Sequence, residues 1–241
     1  MSEILEKAMR AHEFLIENKV INEVPLPPDW DPEKMNAYQS FDNRLQYALD
    51  RAKEIGTGSS RVAMIIEYQG RPTVLKVARS KHGLIQNEQE ISVLENSRVS
   101  KMPIVIPLID YDKENSRPVW IQTELAKKVK EPTLNKIFRT PNLKFLVKYV
   151  DFKSKKSNYF TWGRDFETTS FSEIKKTYLE NTEYTERDWQ TFDKYADQLV
   201  ELVYNTELET GDFEFDENWG LYNGNPVIID LGFTSTTREY Y

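Results

Sequence analysis

Apolar positions recur along this chain with a period that changes from segment to segment. Near the start, Ile4, Leu5, Ala8, Ala11 and Leu15 follow i, i+3, i+4 spacing, which predicts an amphipathic helix that Ser2 can cap. Pro25-Leu26-Pro27-Pro28 stops it, because proline has no N–H to give a helix. Asp31-Pro32 then reads as an N-cap followed by proline at the first helical position. The helix it opens is expected to turn Met35, Tyr38, Leu45, Ala48 and Leu49 inward and to end near Lys53.

From Glu54 the pattern shortens to that of strands. Arg61 to Tyr68 is rich in β-branched and apolar residues, Gln69-Gly70-Arg71-Pro72 is a turn, and Thr73 to Ala78 is a second short strand. Residues 54–78 therefore read as a three-strand meander. Leu84 to Glu95 is helical, and Ile104 to Ile109 and Val119 to Thr123 are two more strands joined by the polar turn Lys113-Glu114-Asn115-Ser116. Helices dominate from Thr133 to Val203. A last strand pair, Gly220–Tyr222 and Val227–Asp230, straddles Asn223-Gly224-Asn225.

The 241 residues are 39% hydrophobic, enough for a core in one domain or two closely packed lobes. The longest apolar run is Val62 to Ile66, too short to span a bilayer, and Glu3 and Glu6 interrupt the start where a signal peptide needs an apolar stretch. Absence of cysteine excludes disulfides, thiol nucleophiles and zinc-thiolate sites, and two histidines, His12 and His82, argue against His-rich metal sites. The expectation is a soluble, cytoplasmic protein whose chemistry uses carboxylates, lysines and Mg²⁺.

Five features in fixed order carry that chemistry. Gly56-Thr57-Gly58-Ser59-Ser60 lies between two strands, where glycines let backbone N–H groups approach a phosphate. A Rossmann reading fails because the segment after Gly58 is strand-like rather than helical. Lys76 sits in the strand Val74-Leu75-Lys76-Val77 and points opposite to Leu75 and Val77. The helix that follows offers Glu90, with Glu88 as the alternative, to hold that ammonium toward phosphate oxygens. Asn218 and Asp230, in Asp230-Leu231-Gly232, are hard oxygen ligands suited to Mg²⁺ with bound phosphates.

This order resembles the protein kinase-like superfamily over residues 54–126 and 195–233, and Asn218 to Asp230 is similar to small kinase-like proteins encoded by bacteriophages. The resemblance implies an α+β, two-lobed fold. Its parts would be an N-terminal helical extension (1–53), an N-lobe (54–126) with a five-stranded antiparallel sheet and one helix, and a reduced, mostly helical C-lobe (127–241). It implies ATP and Mg²⁺ as cofactors bound between the lobes. Gly56, Gly58 and Ser59 would cover the phosphates, Lys76 would pair with Glu90 or Glu88, and the backbone of Thr123-Glu124-Leu125-Ala126 would meet the adenine. Asn218 and Asp230 would hold the metal.

The departures shape the functional expectation. Ser60 or Arg61 stands where the family has a third loop glycine. No His-Arg-Asp precedes Asn218; the position of the catalytic Asp is Phe213, and Asp212, one residue earlier, is the first candidate for the base ahead of Glu214 and Asp216. The chain ends nine residues after Gly232, which suits a reduced lobe. The leading reading is an atypical kinase that passes a phosphoryl group to an unknown acceptor. The alternatives are a pseudokinase acting as an interaction module and a small-molecule phosphotransferase. A nucleotide and a host or viral protein are the expected partners, in the host cytoplasm if the chain is virus-encoded, with no membrane. Residues 127–156 carry ten Lys or Arg against Glu131 and Asp151, but the pI near 5.1 weighs against nucleic acid. Residues 201–220 carry seven acids and no base.

Overall fold

The structure, a computed structural model, describes residues 30–38, 40–154, 170–180, 184–206 and 208–232, without the side chains of Glu54, Ile55 and Thr57. The helix expected over residues 4–15 lies outside them. The chain is α+β and divides into two compact units. The first runs to Ser92 and takes in Pro107–Leu125; the second comprises Val93–Ile106 and the residues from Ala126 on.

In the first unit, Asp31 accepts backbone N–H bonds from Glu33 and Lys34 and opens α1 (Pro32–Ala37), and Ser40 caps α2 (Phe41–Leu49). The expected single helix is thus two. Tyr38 takes an extended conformation between them and is 40% exposed rather than turned inward. Five strands follow: β1 (Ala52–Thr57), β2 (Arg61–Tyr68), β3 (Arg71–Ala78), β4 (Leu108–Tyr111) and β5 (Trp120–Glu124). They form one antiparallel sheet in the order β1-β2-β3-β5-β4. Gln69 and Gly70 both have positive φ and close the two-residue β2–β3 hairpin.

The two-residue period of the strands gives the sheet two different faces. Val62, Met64, Ile66, Leu75, Val77 and Trp120 pack with Trp30, Met35, Leu45, Tyr47, Ala48 and Leu49 from α1, α2 and the segment before them. The indoles in this core keep their hydrogen bonds: Trp30 Nε1 donates to Gln122 Oε1 at 3.1 Å and Trp120 Nε1 to Asn36 Oδ1 at 2.9 Å. Gln122 Nε2 in turn donates to Thr73 Oγ1 at 2.9 Å. The opposite face carries Arg61, Ala63 and Lys76 and meets α3 (Lys81–Glu95).

The second unit holds α4 (Glu131–Phe138), α5 (Leu143–Ser154), α6 (Phe171–Glu180) and α7 (Glu186–Asn205). Phe138, Tyr149, Tyr178, Trp189 and Phe192 are buried in its aromatic core. Two of the aromatics interleaved with the basic stretch, Phe138 and Tyr149, are therefore turned into that core, and of the lysines of α5, Lys144 is exposed while Lys153 pairs with Asp193 and Asp197 of α7. Thr185 and Asp188 form a reciprocal cap at the start of α7. A small sheet joins β6 (Lys127–Lys128), β7 (Trp219–Tyr222) and β8 (Asn225–Ile228).

Two strand expectations need correction. The run Ile104 to Ile109 is split: β4 starts at Leu108, while Ile104 and Val105 belong to the second unit, where the Ile104 carbonyl accepts the Ile228 N–H at 2.8 Å and Val105 bridges Ile228 in parallel. Pro107 has no N–H for a ladder and sits at the break. The last hairpin turns on Asn223 and Gly224 alone, both at positive φ, so β8 ends at Ile228 and Asp230 lies past the strand.

Gly83 fixes how closely α3 approaches the sheet. A Cβ there would sit 2.2 Å from the Ser60 carbonyl oxygen and 3.0 Å from the Ala78 Cα. Gly83→Ala, which raises helix propensity, is expected instead to destabilise the protein by about 1–3 kcal/mol, because backbone must shift to admit the methyl. Urea denaturation checks this; an unchanged or raised midpoint contradicts it.

Candidate functional site

The candidate residues fall into two groups, one in each unit. In the first, Lys76 lies opposite Ala63 in the β2–β3 ladder, and Arg61, two residues along on the same face, lies opposite Ala78. Both reach α3. Lys76 Nζ donates to Glu90 Oε1 at 2.6 Å, and Arg61 Nη1 donates to Glu90 Oε2 at 2.5 Å. Lys76 and Arg61 are each 7% exposed and Glu90 is fully buried. Charges held this far from water interact strongly, and breaking one partner away is costly. Glu88 is not the partner: it faces outward, with Arg117 at 4.0 Å.

Asn87 completes this group and escaped the sequence reading. It is fully buried; its Nδ2 donates to the carbonyls of Pro118 and Val119, and its Oδ1 accepts from Arg61 at 3.4 Å. The signal was one turn of helix: Asn87 and Glu90 are three apart and so share a helix face.

The glycine loop is a short, pinned turn. Gly56 pairs with Ala63 inside the ladder, and the Gly58 N–H donates to the Arg61 carbonyl at 2.9 Å. Arg79 ties the loop from outside, its N–H to the Ser60 carbonyl and its Nη1 to the Gly58 carbonyl. Ser59 is exposed, whereas Ser60 is buried and bonds Gln86. Glu124 ends β5, its N–H donating to the Pro107 carbonyl and its carboxylate pairing with Arg71. Ala126 is buried in the second unit against Gly220.

In the second unit, two one-turn 3₁₀ helices, Thr210–Glu214 and Asp216–Asn218, carry the acidic loop. Asn218 Nδ2 donates to the Asp212 carbonyl at 2.9 Å and Trp219 Nε1 to the Phe213 carbonyl at 3.0 Å. The Ile229 N–H donates to the Asn218 carbonyl, and Asp230 Oδ1 accepts the Gly232 N–H at 3.2 Å. These bonds hold Asp212, Asn218 and Asp230 in one group. Phe213 is buried against Trp219. Asp216 accepts the Glu131 N–H at 3.1 Å and thereby caps α4, a structural task that sets it apart from Asp212.

Asp212 is pushed up to about 7, first by burial and then by the carboxylates of Asp230, Glu209 and Glu217. Such mutual repulsion is what a divalent cation relieves. Two carboxylates and the Asn218 amide oxygen are hard donors that fit Mg²⁺. Among the described residues no group of three or more His, Cys, Asp or Glu side chains is placed to hold a metal ion by itself, so water or phosphate oxygens would complete its coordination. The same unit has an open groove of about 530 Å³, lined among others by Arg187, Lys194, Tyr195 and Pro226, which none of these three residues lines. No described helix is long and apolar enough to cross a membrane.

Asp230→Asn is expected to bring Asp212 down from about 7, though not to the ordinary carboxylate range, because burial persists. A ¹³C carboxyl titration reads this directly. In stability the sign is fixed: the folded protein holds the Asp212 proton more tightly than the unfolded chain, so this group favours folding below about pH 4 and loses that contribution as pH rises through 7. Asp212→Asn is therefore expected to gain stability over the native chain as pH rises through that window, with a level difference above it.

No protein-family model matches the chain, and no curated protein matches it either.

Proposed function

We propose that this chain is a reduced protein kinase-like protein that binds MgATP and transfers a phosphoryl group to an acceptor. The observation that carries this reading is the buried ion pair of Lys76, on the middle strand of an antiparallel five-stranded sheet, with Glu90 of α3, which packs on that sheet face. An ammonium so held is a fixed positive charge for phosphate oxygens. Asp230 and Asn218 would hold Mg²⁺, which when bound neutralises charge on the transferred group. Asp212, its backbone gripped by Asn218, would orient the acceptor hydroxyl.

A second reading, nucleotide binding without transfer, is favoured by two observations. The residue at the expected base position, Phe213, is buried, and the Gly58 N–H is committed to its own turn. Both readings share the nucleotide.

Thermal shift with ATP, with and without Mg²⁺, tests that shared part. Native protein is expected to rise by a few degrees with MgATP, about 2.7 kcal/mol of stabilisation at a hundredfold excess over Kd, and Lys76→Ala and Asp230→Ala to lose the rise. If those variants shift as the native protein does, the site is wrong. Transfer of label from γ-labelled ATP to a lysate, above the level of Asp212→Ala, supports the kinase; label no higher than that variant leaves the non-transferring reading ahead.

A further inference from the structure

We propose that the groove beside α7 in the second unit is a docking site for an extended peptide segment that carries two carboxylates. The groove lies within that unit, and its lining residues are separate from those of the nucleotide reading, so the two stand or fall independently. The first ground is how α7 distributes its charge. Its acids are engaged inside the unit: Glu186 with Lys175, Asp188 with Arg139 at 3.4 Å, and Asp193 and Asp197 with Lys153 at 2.7 and 2.5 Å. Arg187 and Lys194 are exposed and line the groove, and among the described residues no carboxylate forms an ion pair with either. No acid is among the described residues that line it.

The second ground is the groove's remaining polar groups. Gln190, Gln198, Asn225 and the Tyr195 hydroxyl line it, and among the described residues none of these side-chain groups has a hydrogen-bond partner. Tyr195 is held by its ring, edge-to-face on Phe138 at 4.9 Å, which leaves the hydroxyl to act as a donor. Arg187 and Lys194 are two turns apart on the helix, about 10 Å along its axis. A polyproline II segment has three residues per turn and rises about 3.1 Å per residue, so carboxylates three residues apart stand on one side about 9 Å apart. Such a segment makes no internal hydrogen bonds, which leaves its carbonyls for the amide and phenol donors. Nucleic acid fits less well, because its affinity comes from many neutralised phosphates and the groove offers two cations on a chain of net charge −7.

Fluorescence anisotropy with the full chain tests this. The probes are labelled proline-rich peptides with two glutamates three residues apart, with the same two positions as glutamine, and with the glutamates adjacent. The native chain is expected to bind the first about tenfold more tightly than the second, with the third in between. Arg187→Gln and Lys194→Gln are each expected to weaken the first about threefold to fivefold, and together to bring it to the level of the glutamine peptide. Lys144→Gln removes an exposed cation of the same unit outside the groove and is expected to stay near the native value. Equal melting temperatures check that these exposed substitutions leave the fold intact. Glutamate and glutamine peptides binding alike, or neither binding, overturns the proposal, as do Arg187→Gln and Lys194→Gln binding like the native chain. Lys144→Gln weakening the peptide as much as Lys194→Gln overturns it in favour of a general charge effect. Displacement of the peptide by a 12-nucleotide single strand or by inorganic phosphate, at lower concentration than by unlabelled peptide, overturns it in favour of those ligands.

Discussion

A single buried carboxylate organises the first unit. Glu90 has no exposure and is met by two cations that come from adjacent strands, so β2, β3 and α3 can take only the arrangement in which all three charges converge. Other polar and close contacts hold α3 against the sheet beside that convergence. Gly83 lets the helix start close against Ser60 and Ala78, Gln86 bonds Ser60, and Asn87 reaches the carbonyls ahead of β5. A charge cluster of this kind is poor cement compared with apolar packing, but it tolerates little misalignment. Its effect is to make one geometry far better than its neighbours.

The second unit uses carbonyls instead. In its acidic loop the side-chain N–H groups of Asn218 and Trp219 grip successive carbonyls, at Asp212 and Phe213. The indole is buried and the amide half-buried, so the backbone of the loop is held by groups that cannot easily turn to water. Like-charged side chains are thereby kept together against their repulsion, and the raised proton affinity of Asp212 is the result.

Much of this was legible in the residues. The alternation around Lys76 set it apart from Leu75 and Val77, and the helix after it offered Glu90 as the first partner. What escaped has physical reasons. The break between α1 and α2 was hidden because Met35, Leu45 and Ala48 keep a helical spacing across it, while the stop is a matter of backbone at Tyr38 and a cap at Ser40. The apolar run Ile104 to Ile109 looks like one strand because hydrophobicity does not say which sheet will claim which residue, a choice made by tertiary pairing. Nothing in the sequence pattern marks the polar Arg61 and Asn87 as buried. Their burial is visible only once the strand and helix are brought face to face.

The packing of Trp30, α1 and α2 onto the sheet has a further consequence. Among the described residues, Trp30, α1 and α2 pack over the apolar surface formed by Val62, Met64, Ile66, Leu75, Val77 and Trp120. A chain shortened past Trp30 to Leu49 would present that surface to water, a patch of the kind that draws molecules together. The smallest soluble form of the sheet therefore begins no later than Trp30, and the helices before it are part of the fold's solubility as well as its core.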